Sequence, residues 1–591
     1  MIPLPSSFKV VFQPDGRRGS FDAGTTALEA ARELGVDINA ICGGAASCGK
    51  CVVRIIKGNI SEPSQDEIKL LGLHSVADGF RLACCAKVEG TATFLVPDES
   101  RTATQRLQTE GLDTPVRLEP LVTKRTEDGV TTIFHCGRVL ETLPSDEGPI
   151  LGFAVDVGTT KLAGYLMDLS TGEVLSVEAA VNPEIAFGED IVTRLSYALT
   201  GESARESLHQ SLVEGIRRLL ADACEKATAD PNDVYEHVFV GNTAMQHFLL
   251  NIDPKPLTHS PFTPKSKEHR DLDSASLGLG NPKGNIHVLP VIDGFVGADC
   301  VAAILATGIH RSKELSFLID IGTNTEIVVG NKEKMIACSC ASGPAFEGAH
   351  IRHGMRAASG AIEGIWIDPD SLKPTFKTID DAEPVGICGS GLIDALSEMI
   401  RTGIVDTSGR IRGELGHPRI RRSGDTLEYV IAWRDETATG DDIVLSQLDI
   451  RELQKGKAAM LSGAQIAMKK LGATSVDFER VYMAGAFGTY IDRESAVNVG
   501  MIPEFPLSKI RQVGNAAGTG ARMALISRSA REEAKEIGRR ARYVELATQP
   551  EYNQAFVDAL LLPHRDLSLF PETMKKLSAE NLTVSRIHKR P

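Results

Sequence analysis

From Ile150 onward the chain alternates short apolar runs with carboxylates and Gly/Thr turns. Residues 152–157 read as a buried strand carrying Asp156, Gly158-Thr159-Thr160-Lys161 as a turn, and residues 162–166 as a returning strand. The pattern recurs in residues 317–326, where Asp320 is followed by Gly322-Thr323-Asn324 and residues 327–329 continue a second strand. Two copies of strand, Asp, Gly, Thr and hairpin predict an internal duplication. Just before the second copy, residues 296–309 predict an Ala-rich helix with Asp299 near its start. Residues 481–488 read as a strand entering a Gly turn and a helix, and residues 514–521 open another helix. Residues 386–392 form a glycine-rich start to a helix over 393–401, which suits either an anion or close packing.

The first hundred residues have a different texture. Cys42, Cys48 and Cys51 crowd a loop of small side chains, and Cys84 and Cys85 follow. A Cys₄ set of thiolates is how a chain holds an iron–sulfur cluster. Gly43, Gly44 and Gly49 fit a loop that must approach such a group closely. Zinc usually takes paired knuckles, of which only one half stands here, and disulfides belong to oxidising compartments. Cys84 and Cys85 compete for the fourth position. If they lie on a strand their side chains point opposite ways, so one of them faces the cluster.

Between these parts, residues 98–108 are polar and rich in Thr and Arg, with few long apolar runs up to about residue 149. A linker is expected there, with a short helix around Glu141. Such a tether would let a redox domain visit more than one docking site.

Composition narrows the partners. At 591 residues, with 42% apolar and 24% charged, the chain predicts several globular domains. A net charge of −14 argues against nucleic acid. The longest apolar candidate, residues 288–309, is broken by Asp293 and Asp299, so no membrane span is expected. With no secretory signal visible in residues 1–10, a cytoplasmic location is the expectation. Cys136, Cys224, Cys300, Cys338, Cys340 and Cys388 are scattered and read as buried free thiols.

Residues 1–97 resemble a ferredoxin of the plant/adrenodoxin type: a strand over 8–13, a turn at Asp15-Gly16, a helix over 26–34, the Cys loop, then Arg81-Leu82-Ala83-Cys84. That resemblance implies a 2Fe–2S cluster on Cys42, Cys48, Cys51 and Cys84. Residues 150–314 and 315–591 resemble the two lobes of the actin/Hsp70/sugar-kinase ATPases. The expected fold is therefore an α/β multidomain chain: a β-grasp ferredoxin domain, a linker over 98–149, and two ribonuclease H-like, actin-like ATPase lobes.

The ATPase resemblance implies residue roles. Asp156, Gly158, Thr159 and Thr160 match the first phosphate loop, and Asp320, Gly322, Thr323 and Asn324 the second. Asp299 falls where Hsp70-like members orient the attacking water, and Gly485 and Gly488 match the adenosine motif. Gly and Thr in the turns offer phosphate donors, while the carboxylates can hold hydrated Mg²⁺. Glu347, in the turn over 341–348, is a candidate for metal or water, with a purely structural role as the alternative.

A ferredoxin joined to such an ATPase, with residues 342–348 and 485–488 as they stand, resembles the reductive activators of corrinoid proteins. This family implies ATP-dependent delivery of one electron to a Co(II) corrinoid protein, which restores Co(I), with an upstream electron donor. The resemblance is compatible with a homodimer. Two alternatives are a redox-gated small-molecule kinase and an ATP-driven remodelling factor with a sensing cluster.

Overall fold

The computed structural model describes all residues except 1–6, 14–16, 35, 37, 39, 41–43, 45, 47, 48, 98, 99, 101–115, 145–147, 189, 323 and 578–591, and describes only the backbone at 486 and 487. The chain divides into two compact units: Met1–Arg106 with Pro183–Tyr197, and Leu107–Asn182 with Ala198–Pro591.

The first unit is built on a five-stranded sheet. Its order is Arg17–Asp22, Ser7–Gln13, Val88–Leu95, Val52–Ile60, Phe80–Leu82. The first and last long strands, Ser7–Gln13 and Val88–Leu95, run parallel, and the other neighbours are antiparallel. Alternate residues of these strands face inward, so Val10, Phe12, Val53, Leu82 and Phe94 are fully buried, with Phe12 stacked on Phe94 at 5.3 Å. Helix Ala27–Glu33 closes the core with Leu28 and Ala31, and its start is fixed by a Thr26/Glu29 capping box. This is the β-grasp arrangement.

The second unit contains the duplication as two six-stranded sheets. In the first, Val174–Val181, Lys161–Asp168 and Leu151–Val157 are antiparallel, and Val234–Gly241 joins Leu151–Val157 in parallel. In the second, Met335–Cys340, Thr325–Gly330 and Ser316–Ile321 repeat the antiparallel triplet, and Arg480–Ala484 takes the parallel place. Each hairpin Asp lies near the C-terminal end of the central strand. Asp156 pairs with Val240, and Asp320 with Ala484. Gly241 and Gly485 are thus equivalent positions in the two lobes.

Helices Ala298–Thr307 and Ala516–Ile526 cross within one core that also takes Ala154 and Tyr165 from the first sheet and Leu318 and Val328 from the second. The crossing is close because Gly520 lacks a side chain: a Cβ there would fall 2.1 Å from the Ala302 carbonyl oxygen.

The expected linker helix around Glu141 is replaced by a strand. Val122–Glu127, Val130–His135 and Arg138–Pro144 form a three-stranded antiparallel sheet. Its β-branched residues favour strands, and Asp128-Gly129 and Cys136-Gly137, with φ of 49° and 75° and of 50° and 81°, form the two-residue turns that close hairpins. Glu141 accepts from Tyr235 Oη at 2.6 Å and from Lys283 Nζ at 2.7 Å, tying this sheet to the first lobe. Residues 98, 99 and 101–108 of the expected tether lie outside the described residues.

Candidate functional site

In the first unit, strand Phe80–Leu82 delivers the chain to a turn that carries Cys84 and Cys85. The strand end is held from below. Arg81 donates to both oxygens of Glu67 at 2.9 Å, and the Leu82 amide donates to the same carboxylate at 3.0 Å. Both side chains are buried, and these bonds hold the Glu67 carboxyl below its ordinary range although burial pulls the other way. Beyond this clamp, the thiols of Cys84 and Cys51 are 3.4 Å apart. Gly44, at φ 105°, lies beside Cys84: a Cβ there would sit 3.9 Å from Cys84 Cβ. Cys42 and Cys48 lie outside the described residues. The two described thiols fit half of the Cys₄ thiolate set that a 2Fe–2S cluster takes.

The premise that Cys84 and Cys85 point oppositely fails, because they occupy a turn and not a strand. Their sulfurs are 3.8 Å apart. Cys85 also faces Ser64 and Glu67, and burial, with Cys84 beside it, pushes its thiol up to about 12.

In the second unit the two hairpins bring carboxylates together. Asp156, Asp299, Asp320 and Glu326 are each partly open to solvent, and Asp299 and Asp320 feel the charge of Asp156 while Glu326 feels theirs. Burial pushes Asp156 up to about 6, opposed by the amide of Asn515. Burial pushes Asp299 up to about 7, opposed by the Cys300 amide at 2.7 Å and reinforced by Asp156. Burial and then the charges of Asp299 and Asp156 push Asp320 up to about 7. Glu326 is raised by burial and by Asp299 and Asp320, and Ser339 donates to it at 3.1 Å. Such a group is a sink for cations, because each ionised carboxylate raises the cost of the next. No three His, Cys, Asp or Glu among the described residues are placed to ligate a metal ion directly.

The turns are held by asparagines that the sequence patterns did not single out. Asn242, just after Gly241, donates to Thr159 Oγ1 at 3.0 Å. Asn182 donates its side-chain amide to the Gly158 carbonyl at 2.9 Å and its backbone amide to Thr160. A Cβ on Gly158 would meet the Lys161 carbonyl oxygen at 2.6 Å, so the tight turn requires glycine. In the second hairpin Asn324 is partly exposed, Thr323 lies outside the described residues, and Thr325 Oγ1 and Ser342 Oγ are hydrogen-bonded at 2.9 Å. A cavity of about 570 Å³ opens from Ser342 and Gly343, walled by Pro344, Phe556 and Leu560 with Arg451 and Lys455 at its edge.

Gly485 and Gly488 bound a short helical turn after the strand parallel to Ser316–Ile321. Gly485 has φ 86°, and a Cβ there would be 2.6 Å from Asp320 Oδ1 and 2.5 Å from the Ile321 carbonyl oxygen. Gln512 fixes the turn by donating to the carbonyls of Gly488, Thr489 and Ile491. Glu347 faces the first hairpin: its charge offsets the burial that lowers the Lys161 ammonium. Gly386 and Gly391 are needed for packing, since a Cβ would lie 2.7 Å from the His353 carbonyl oxygen at the first and 2.3 Å from the Ile362 carbonyl oxygen at the second. Cys338 and Cys340 are buried in the core, and Cys340 Sγ lies against Gly463.

Family models match in three consecutive blocks. Residues 12–89 match the 2Fe–2S iron–sulfur cluster binding domain, residues 151–312 the RACo middle region, and residues 314–574 the C-terminal ASKHA domain of RACo. The chain is 32% identical over 565 residues to the corrinoid activation enzyme RamQ of Eubacterium limosum, covering 89% of this chain and 94% of that protein. The chain belongs to the RACo family.

A second relative is the Co(II) methylated amine-specific corrinoid protein reductase of Methanosarcina barkeri, 26% identical over 447 residues, covering 69% of this chain and 76% of that protein. Among solved structures, a reductive activator for corrinoid,iron-sulfur protein aligns with a TM-score of 0.71 and 33% identity, covering 96% of this chain and 100% of that one. The RACo ASKHA block contains Asp320, Glu326, Gly485 and Asn515, and the middle block contains Asp156 and Asp299. The group of interacting carboxylates is therefore assembled from both RACo blocks.

Proposed function

We propose that this protein is an ATP-dependent reductive activator that passes one electron from a 2Fe–2S cluster to a Co(II) corrinoid protein and restores Co(I). The observation that carries this reading is the presence, in one RACo chain, of two adjacent ferredoxin-type thiols and two repeated hairpins whose carboxylates act on one another. Residues 1–97 carry the electron, residues 150–314 and 315–591 act on the nucleotide, and 98–149 connects them. The ligands are Cys42, Cys48, Cys51 and Cys84; the cluster, once bound, supplies a one-electron carrier. The electron comes from an upstream donor. Cys224, Cys300, Cys338, Cys340 and Cys388 are buried free thiols, which suits a reducing cytoplasm, whereas Cys136, expected to be buried with them, is exposed in the Cys136-Gly137 turn.

At the two hairpins, the backbone donors and hydroxyls of Gly158, Thr159, Thr160, Gly322, Thr323 and Asn324 bind phosphate oxygens from opposite lobes. Asp156 and Asp320 would hold Mg²⁺ arriving with ATP, which would supply the positive charge that offsets their carboxylates. Asp299, with Asp156 beside it and a carboxyl near neutrality, is the group that takes a proton from attacking water. Gly485 and Gly488 approach the nucleoside, and the cavity beside Ser342 has the apolar wall that a base or ribose needs.

ATP is needed because a one-electron transfer loses tenfold in equilibrium for each ~59 mV uphill. Nucleotide can shift that equilibrium only by binding two states with different affinity. Closure of the two lobes over the carboxylates supplies the difference. The test is anaerobic: the reduced protein is mixed with a Co(II) corrinoid protein, with and without Mg-ATP, while Co(I) absorbance and released phosphate are followed together. ATP-dependent Co(I) supports the reading. Phosphoryl transfer to a small molecule without Co(I), across several corrinoid proteins, overturns it in favour of a redox-gated kinase.

A further inference from the structure

We propose that Cys85 donates an S–H hydrogen bond to the ligand sulfur of Cys84 and thereby raises the reduction potential of the cluster. This rests on the assignment of Cys84 as a ligand. The geometry is a Cys84 to Cys85 Sγ separation of 3.8 Å, within reach of a sulfur hydrogen bond, in a turn that brings both thiols to one side. A ligand sulfur bonded to iron is a thiolate and has no hydrogen to give, so in the loaded protein the donor of this pair is Cys85. Cys85 is only partly exposed and is fixed on its other side by Ser64, the N-cap of helix Gln65–Ala77. The Glu67 clamp on Arg81 and Leu82 fixes the turn just before it.

Hydrogen bonds to cluster sulfurs stabilise the more negative, reduced state, and so raise the potential. The consequence for the activator is a division of work. A cluster of higher potential is loaded by a weaker electron donor, and a larger share of the uphill step to cobalt falls to ATP. Cys85 is a positioning and tuning residue in this account, since it touches the ligand and not the acceptor.

The test uses the full-length protein, purified anaerobically, as wild type, Cys85→Ala, Cys85→Ser and Cys84→Ala. Redox titrations are followed by visible absorbance and by electron paramagnetic resonance of the reduced cluster, with iron content measured. Cys85→Ala is expected to keep its cluster, with its electron-sharing ratio against a fixed mediator shifted about tenfold toward oxidation, equivalent to ~59 mV. Cys85→Ser, which retains an O–H donor, is expected to lie nearer wild type. An intact cluster with an unchanged or raised midpoint in both Cys85 variants overturns the hydrogen bond and leaves the activator reading standing. A cluster lost in both Cys85 variants and kept in Cys84→Ala overturns the proposal at its root, since Cys85 is then the ligand.

Discussion

Asn515 donates its side-chain amide to Asp156 Oδ2 at 2.8 Å, while its own carbonyl oxygen accepts from the Gly518 amide at 2.6 Å. The oxygen is committed to capping helix Ala516–Ile526, so the NH₂ group is aimed at the carboxylate. The start of an interlobe helix thereby fixes the first hairpin's acid. A hydrogen bond to a charged group is worth about 1.5–3 kcal/mol. Asn515→Ala is expected to lower ATP turnover about tenfold with the cluster absorbance unchanged, and Asn515→Asp, which sets two carboxylates together, to lower it further. Steady-state phosphate release checks both.

The raised carboxylates also set a pH dependence. Asp320 stays protonated in the folded, nucleotide-free protein up to about 7, against an ordinary value of 3.8. A raised folded value means that stability is fully present below the unfolded pKa and is lost as pH rises through the folded one. Relative to Asp320→Asn, the wild type should lose melting temperature from about pH 4 to about pH 7 and then run parallel. Melting curves taken without nucleotide across that window decide it; parallel curves throughout would remove Asp320 from the buried-charge account.

Gly485 tests the second lobe by geometry alone. An Ala there places a Cβ 2.6 Å from Asp320 Oδ1 at a backbone with φ 86°, which L residues rarely adopt. Gly485→Ala should weaken ATP binding by more than tenfold, because the acid and the turn cannot both keep their places. Calorimetric titration with Mg-ATP measures this, with the cluster absorbance as the control for folding.

The Glu67–Arg81 pair makes the corresponding prediction for the ferredoxin-like unit. Both side chains are buried, and removing one partner of such a pair costs about 3–5 kcal/mol because the other charge is stranded. Glu67→Ala should bleach its cluster faster on warming than wild type, while ATP turnover without acceptor stays unchanged.

The sequence made the repeated elements legible and left their braces hidden. The Asp-x-Gly-Thr hairpins, the Ala-rich helix around Asp299 and the Cys loop are local patterns, and a local pattern survives in one dimension. Asn515 and Asp156 are 359 positions apart, and nothing in either segment announces the other. Asn242 could have been reached by extending the duplication, since it follows Gly241, the first-lobe partner of Gly485. Glu141 lies on strand Arg138–Pro144 and not on the expected short helix. The Asp128-Gly129 and Cys136-Gly137 turns flanking Val130–His135 were the signal for a hairpin. The orientation of Cys85 depended on whether a strand continued past Leu82, and strand ends are set by tertiary contacts such as that of Glu67 with the Leu82 amide.

The most direct test of the central claim is a single-turnover count. The protein, with its cluster fully reduced and excess donor removed, is mixed anaerobically with a Co(II) corrinoid protein and Mg-ATP, and cluster bleaching and Co(I) formation are recorded together. The account predicts one Co(I) formed for each cluster oxidised, with Mg-ATP required, and loss of that product in both Cys84→Ala and Asp320→Asn. Co(I) appearing equally without ATP, or ATP consumed while the cluster stays reduced beside unreacted Co(II), would contradict it.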